Sequence, residues 1–302
     1  MRNSRSKVLV ESAAWIIFMF CAVIAVLAVF SITLYMLLKG VPAFAKAGFA
    51  EILFGRVWAP TASDPSYGIL YIILTSIVGT AAAILLGVPT GVLTAVFLSE
   101  VAPKKLAKMT GPVVELLAGI PSVIYGLLGL MLLNPAMYKL EQIIFADSPT
   151  HQFTGGANLI SAVLVLAIMI LPTVINISQS ALQAVPQSLK AASFSLGASQ
   201  IQTIFKVQIP AAKSGIATAV VLGIGRAIGE AMAISLVSGS TVNFPLPFNS
   251  VRFLTTAIVS EMGYAADTHR MVLFSIGLVL FVFILCINIV LAKILRGAKN
   301  NG

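Results

Sequence analysis

From Ala13 to Leu38 the chain carries no charged side chain, and a run of that length has few ways to fold. About 20 consecutive apolar residues suffice to cross the hydrocarbon of a bilayer as a helix. Five further apolar segments follow, at roughly 68–98, 113–133, 157–181, 215–239 and 271–295. Of the 302 residues, 59% are hydrophobic and 10% charged, against about 45–50% and about 25% in soluble domains. The mean hydropathy of +1.02 excludes disorder and argues against an outer-membrane barrel, whose strands alternate and average out less apolar. The sequence therefore predicts an all-α, polytopic membrane protein with six transmembrane helices in one domain, residues 1–302. Arg2, Arg5 and Lys7 before the first run, with Ala43-Phe44-Ala45 after it, imitate a cleaved signal peptide. The run is too long for one and is kept as a span.

The net charge of +9 does not point to nucleic acid, because the basic residues are dispersed between apolar runs and form no stripe that could follow a phosphate backbone. They serve orientation instead. With six spans both termini share one side. That side carries Arg2, Arg5 and Lys7, then Lys104, Lys105 and Lys108, then Lys190, Lys206 and Lys213, then Lys293, Arg296 and Lys299. The other carries only Lys39, Lys46, Arg56, Lys139, Arg252 and Arg270. By the positive-inside rule both termini are expected in the cytoplasm. The lipid bilayer of an inner or plasma membrane is the expected location. Cys21 and Cys286 lie within apolar runs, signal neither disulfide nor metal, and are read as packing residues.

Two spans are interrupted. The second contains Gly87, Pro89 and Gly91, and the third Gly119, Pro121, Gly126 and Gly129. In the second, over-long span this combination of Gly and Pro kinks the helix or lets it extend beyond the bilayer. Breaks at membrane depth are tolerated where protein or a water-filled cavity satisfies the freed backbone groups, so both spans are expected to face the bundle interior; the alternative for each break is a kink used only for packing. The outer segments 39–67, 134–156 and 240–270 are proline-bearing and read as ordered loops with short surface helices.

Apart from Lys293 at the end of the last span, only Glu115, Arg226 and Glu230 are charged inside the spans. A charge at mid-bilayer costs at least ~2.5–3.5 kcal/mol and normally faces a partner or an aqueous path. Arg226 and Glu230, four residues apart, would share a helical face and form an ion pair. Gly225 and Gly229 would let another helix approach on a neighbouring face. One reading is a switchable anion site, with the guanidinium offering forked donors to phosphate or carboxylate oxygens. The other is a permanent salt bridge that only fixes packing. Glu115 falls near the end of its span, within reach of water.

Residues 182–214 are too polar to span and too apolar for a plain linker. Pro186 can start a helix, and Leu189, Phe194, Leu196, Ile201, Ile204 and Phe205 recur beyond it. Gly197 divides the stretch into two expected short helices meeting at a turn. Such an element fits the groove of another protein or lies on lipid. Enzyme motifs are missing: there is no P-loop, HExxH or GxSxG pattern, and His151 and His269 have no ligand spacing and read as surface residues. Any dependence on ATP must therefore reside in a partner chain.

Ala191-Ala192-Ser193, three residues, Gly197, nine residues, then Val207-Gln208-Ile209-Pro210 resembles the cytoplasmic loop of permease subunits of ABC importers, which reads Glu-Ala-Ala, three residues, Gly, nine residues, Ile-x-Leu-Pro. The family's Glu is replaced by Ala191, with Lys190 beside it. Over nearly the whole chain the resemblance sharpens to the C-type permease subunit of Pst phosphate importers. It is carried by Phe54-Gly55-Arg56-Val57-Trp58-Ala59-Pro60, by Gly119-Ile120-Pro121-Ser122-Val123-Ile124-Tyr125-Gly126, by Leu196-Gly197-Ala198, and by Gly225-Arg226-Ala227-Ile228-Gly229-Glu230-Ala231-Met232-Ala233. Ala231 stands where the family usually has Thr, and the following Met favours the C-type over the A-type subunit.

The resemblance implies a type I ABC importer permease fold and a transporter subunit rather than an enzyme. It implies a heterodimer with a companion A-type permease, two ATPase subunits that bind ATP and Mg, and an external phosphate-binding protein. No cofactor or metal is expected in this chain. Arg226 would coordinate phosphate oxygens, with Glu230 holding Arg226 when the site is empty. Pro121, Ser122 and Tyr125 would shape the pathway wall, the two hydroxyls serving as neutral donors. Residues 186–210, with Pro186, Leu189, Ala192, Gly197, Ile209 and Pro210, would couple to the ATPase. Trp58 and Pro60 would pack at the outer interface or help receive the binding protein. Competing readings are an ABC permease for molybdate, sulfate or phosphonate, and a secondary transporter, which would show internal repeats. An intramembrane enzyme or receptor would need a catalytic pair or an output domain, and the sequence offers neither.

Overall fold

The computed structural model describes the backbone of residues 2–300 and the side chains of residues 11–293. The side chains of Arg2, Arg5, Lys7, Arg296 and Lys299, which enter the charge count, lie outside the described residues. The chain opens with α1 (Arg2–Ala47) and α2 (Phe49–Phe54). A small antiparallel hairpin, β1 (Trp58–Ala59) with β2 (Ser66–Tyr67), leads into α3 (Leu70–Val96), which a π-wound turn, Phe97–Val101, prolongs. Next come α4 (Lys104–Gly119) and the third apolar stretch, Ser122–Ile144, assembled from α5 (Ser122–Leu128), a π-wound turn Gly129–Leu133 and α6 (Asn134–Ile144), so that this span lies later in the chain than the expected 113–133 and takes in the start of the expected loop 134–156. The fourth is α7 (Leu159–Gln183). Then come α8 (Gln187–Ser195), α9 (Gln200–Thr203), a third π-wound turn Ile204–Gln208 and α10 (Ile209–Ala211). The chain closes with α11 (Lys213–Gly229), α12 (Met232–Val237), α13 (Leu254–Glu261) and α14 (Asp267–Asn300).

Among the described residues, five helical stretches are long and apolar enough to cross a membrane. A sixth is reached when Gln200–Ala211 and Lys213–Gly229, bent by 71°, count as one span. The expected all-α, multi-pass architecture is therefore present.

Helices α3, α7 and α11 pack mutually at the centre. Residues 96–104 and 184–212 meet at one end of the bundle, called here the near end; residues 47–69, 145–158 and 239–266 form the far end. Three apolar clusters succeed one another along this axis. One joins Val96, Val114, Leu182 and Ile204 at the near end, one Leu166, Tyr125, Ile234 and Phe253 in the middle, and one Ile52, Ile69, Leu254 and Leu273 at the far end.

The second span is not broken at Gly87, Pro89 and Gly91: α3 runs through all three. A Cβ on Gly87 would stand 2.6 Å from Ile170, and one on Gly91 2.8 Å from Val174. These glycines let α3 lie close against α7. At the periphery α1 packs on α14, and Ser275 Oγ donates to the Gly40 carbonyl at 2.7 Å. None of the most apolar stretch of α1 is buried. Cys21 and Cys286 are exposed on these outer helices, so they do not pack inside the chain as expected. Their small apolar side chains are compatible with a lipid-facing surface.

Two other spans are broken, the third at the Gly119 and Pro121 named from the sequence, the fifth where no break was expected. The run 113–133 is divided: α4 ends at Gly119, Ile120 and Pro121 are extended, and a new helix starts at Ser122. Pro121 has no N–H for the Leu117 carbonyl and cannot continue the helix. The run 215–239 is divided too, with α11 ending at Gly229 and Glu230 extended at φ −74°, ψ 131°. Of the outer segments, 240–270 contributes α13, whose first residues Leu254 to Ala257 are buried. It is an inserted helix and not a surface one: the Leu254 N–H donates to Ser76 Oγ on α3 at 2.9 Å.

Candidate functional site

The two broken spans meet. Tyr125 and Gly126 on α5 lie against α12, where a Cβ on Gly126 would come within 2.8 Å of the Ala233 Cα. Each break is repaired by a side chain. Tyr125 Oη donates to the Leu117 carbonyl at 2.7 Å, across the extended residues 120 and 121. Glu230 Oε1 accepts the Ala233 N–H at 2.8 Å and so caps α12, while the Glu230 carbonyl accepts Thr255 Oγ1 at 2.7 Å. Non-helical backbone at membrane depth is tolerated where protein partners such as these, or a water-filled cavity, satisfy it.

Arg226 stands in the last turn of α11, where a cation is favoured by the helix dipole. Its side chain is half-buried, and Nη1 donates to Thr173 Oγ1 on α7 at 3.1 Å. The expected Arg226–Glu230 ion pair is not formed; among the described residues the ion pairs lie elsewhere. The physical reason is the helix end. Four-residue spacing puts two side chains on one face only while the helix continues, and here it stops between them. Glu230 is buried and engaged with the backbone, leaving the guanidinium with a neutral neighbour.

Around Arg226 the surface is open within this chain. An added Cβ at Gly119, Gly225 or Gly229 would meet nothing within 4 Å. Among the described residues, no helix packs against the Gly225–Gly229 face. Pro121 is exposed and Ser122 half-buried at the start of α5. Tyr125 is buried with its one O–H committed to Leu117, so it acts as a brace and not as a free donor. Glu115 is exposed on α4. Thr173 and Thr255 escaped sequence reading: threonines in apolar runs are common, and nothing in a linear pattern pairs them with Arg226 or Glu230.

At the near end, Pro186 precedes α8 and Gly197 turns the chain at φ +80° into α9, whose Ser199 and Gln202 form a capping box. The two short helices are as expected. Ser193 and Thr203 hydroxyls, 2.9 Å apart, tie them together. Leu189, Phe194, Leu196, Ile201 and Phe205 are exposed, Leu196 to 89%. Ala192 and Pro210 are exposed as well, and Ile209 packs inward on the near-end cluster.

At the far end both histidines are paired with buried glutamates, not solvated as expected. Glu261 accepts from Trp58 Nε1 at 3.1 and 3.2 Å, from His269 Nε2 at 2.7 Å and from Arg252 Nη1. Glu141, fully buried, accepts from His151 Nε2 at 2.8 Å and from the Thr154 N–H at 3.0 Å. Trp58 thus anchors the first far-end loop inward, with Pro60 half-buried beside the hairpin. Burial raises the pKa of the Tyr67 hydroxyl, which packs edge-on to Trp58. A cavity of about 590 Å³ opens beside His151, lined by Gln152, Thr241, Asn243, Asn249 and Ser250.

Residues 87–299 match the model of the family described as binding-protein-dependent transport system inner membrane component. The chain belongs to this family. The permease is 41% identical over 277 residues to the probable ABC transporter permease protein YqgH of Bacillus subtilis (strain 168), covering 89% of this chain and 86% of that one. It is 34% identical over 248 residues to the phosphate transport system permease protein PstC of Pasteurella multocida (strain Pm70), with 79% and 77% covered. Among solved structures, a chain of a bacterial alginate ABC transporter superposes with a TM-score of 0.58 at 16% identity, covering 94% of this chain and 93% of that chain. A chain of the MetNI methionine ABC transporter gives 0.52 at 20% identity, covering 76% and 94%. These likenesses establish the fold as that of an ABC importer permease. The permease is a multi-pass membrane component of a transport system, not an enzyme.

Proposed function

We propose that this permease is the C-type subunit of an ATP-driven phosphate importer and forms half of its translocation pathway. The observation that carries the reading is Arg226. Among the described residues it is a half-buried guanidinium whose one side-chain hydrogen bond goes to a neutral threonine, beside two broken spans each bridged by a side-chain-to-backbone hydrogen bond. A guanidinium has five N–H donors arranged to fork onto phosphate oxygens. With no carboxylate paired to it, its charge remains available to an arriving anion. A single such charge gives an attraction modest enough for release. The similarity to phosphate permeases supports phosphate as that anion.

In this reading Pro121 and Ser122 line the pathway, while Tyr125 and Glu230 hold its bent walls in shape. The open face at Gly119, Gly225 and Gly229 is covered by a companion A-type permease, so that the pathway runs between the two chains. The near end lies in the cytoplasm, where Lys104, Lys105, Lys108, Lys190, Lys206 and Lys213 collect. There the exposed apolar side chains of residues 186–210 dock on one of two ATPase subunits, which bind ATP and Mg. The far end, held by Glu261 and Glu141, receives an external phosphate-binding protein. ATP binding closes the ATPase pair and turns the pathway outward, and hydrolysis returns it inward, a two-state exchange biased by ligands.

The test is ATP-driven uptake of labelled phosphate into proteoliposomes holding this chain, its companion permease, the ATPase and the binding protein. Arg226→Ala is expected to abolish uptake while the ATPase still co-purifies. Normal uptake in that variant removes Arg226 from the pathway. Inhibition by sulfate, molybdate or a phosphonate changes the substrate, and uptake without ATP overturns the mechanism.

A further inference from the structure

Glu100 lies in the π-wound turn that ends α3. Its carboxylate receives Lys190 Nζ at 2.7 and 2.9 Å and Gln208 Nε2 at 2.9 Å, and its backbone carbonyl receives Gln200 Nε2 at 2.8 Å. Lys190 belongs to α8, Gln200 opens α9, and Gln208 closes the π-wound turn that follows. One residue of the second span therefore holds every part of the near-end loop. The ion pair is sheltered, with the side chains 15% and 11% exposed, so water screens it less than a surface pair. Charge-assisted bonds of this kind are the strong ones.

The covalent path from the loop to α11 passes instead through a 71° bend, which transmits a push less directly than a rigid clamp. Through Glu100 the loop is fixed to α3, which packs along α7, the helix that carries Thr173. We infer that the Glu100–Lys190 latch is the coupling element through which displacement of residues 186–210 moves the second span. Glu100 is thus a positioning residue for transport. This inference rests on the proposed docking role of the loop. It adds the route by which motion leaves that loop.

The experiment uses the assembled complex, with Glu100→Lys, Lys190→Glu and the two combined. Each single change places like charges together and is expected to lower phosphate uptake per ATP hydrolysed at least 10-fold, with the ATPase still co-purifying and still active. The combined change restores the pair with reversed sign. Gln208 can accommodate it, because its Oε1 has no partner among the described residues and can turn toward the new ammonium. The combined variant is expected within about 3-fold of the unaltered complex. Uptake per ATP unchanged in the single variants, or no recovery in the combined one, overturns the latch. Loss of ATPase co-purification from the unaltered complex would instead overturn the docking role. Hydrogen exchange of amides 187–208 reads the latch without any ATPase: it is expected to quicken in the single variants and return in the combined one, and unchanged exchange also overturns the proposal.

Discussion

The hydroxyl of Tyr125 donates to the carbonyl of Leu117, eight residues earlier and on the other side of a break in the same span. Pro121 creates the need for this bond. In an unbroken helix the N–H four residues on would serve that carbonyl, and proline has none. The bend at the centre of the permease is therefore held by a residue one turn beyond the proline that causes it.

Tyr125→Phe removes that donor and leaves the Leu117 carbonyl with the longer 3.3 Å contact from the Ile120 N–H. A loss of about 1–3 kcal/mol is expected. It would be read as a lower melting temperature of the purified permease, with uptake reduced because the wall is no longer fixed. An unchanged melting temperature would mean that packing of α5 on α12 holds the bend alone.

Glu230 separates two roles cleanly. As a cap for α12 it needs only an acceptor oxygen, so Glu230→Gln is expected to keep stability and most of the uptake. Glu230→Ala loses the cap, at a cost of about 1 kcal/mol. If uptake collapses equally in both, with stability retained in the amide variant, the carboxylate charge is what matters and a partner for Arg226 must be sought in another conformation.

Gly197 is required for its backbone and not for its size. At φ +80° an added Cβ would meet nothing within 4 Å. Gly197→Asn, which tolerates the left-handed region, is expected to retain ATPase co-purification. Gly197→Val is strained by at least about 1–2 kcal/mol and is expected to loosen the loop, seen as faster proteolysis between residues 187 and 208. Equal behaviour of the two variants would make bulk the deciding property.

Glu261 holds Trp58, Arg252 and His269 together at the far end. Glu261→Gln leaves the Arg252 guanidinium sheltered without an anion, and breaking a buried pair in this way costs about 3–5 kcal/mol. Loss of far-end order is expected as a red shift of tryptophan emission, checked in a Trp15→Phe background so that Trp58 alone reports. Emission that does not move would mean the loop is held by the Tyr67 contact.

The sequence alone determined the class of molecule. Long uncharged runs can be satisfied only as spans, because a bilayer offers the backbone no hydrogen-bond partners. Composition and spacing therefore established the helical bundle, the resemblance to importer permeases, and the short helices meeting at Gly197. Local chemistry carried these features. Pro121 marked the break in the third span, but only the tertiary structure decided that the fifth span breaks at Glu230 and what each charged group touches. Arg226 and Glu230 look like a pair along the chain, yet the helix ends between them, and the Glu turns to the Ala233 N–H while the Arg turns to Thr173. Glu100 and Lys190, or Glu261 and Trp58, are partners across 90 and 203 residues. No local pattern encodes such contacts, because they exist only after distant helices have packed. Both histidines read as surface residues for the same reason: their burial is a property of what folds over them.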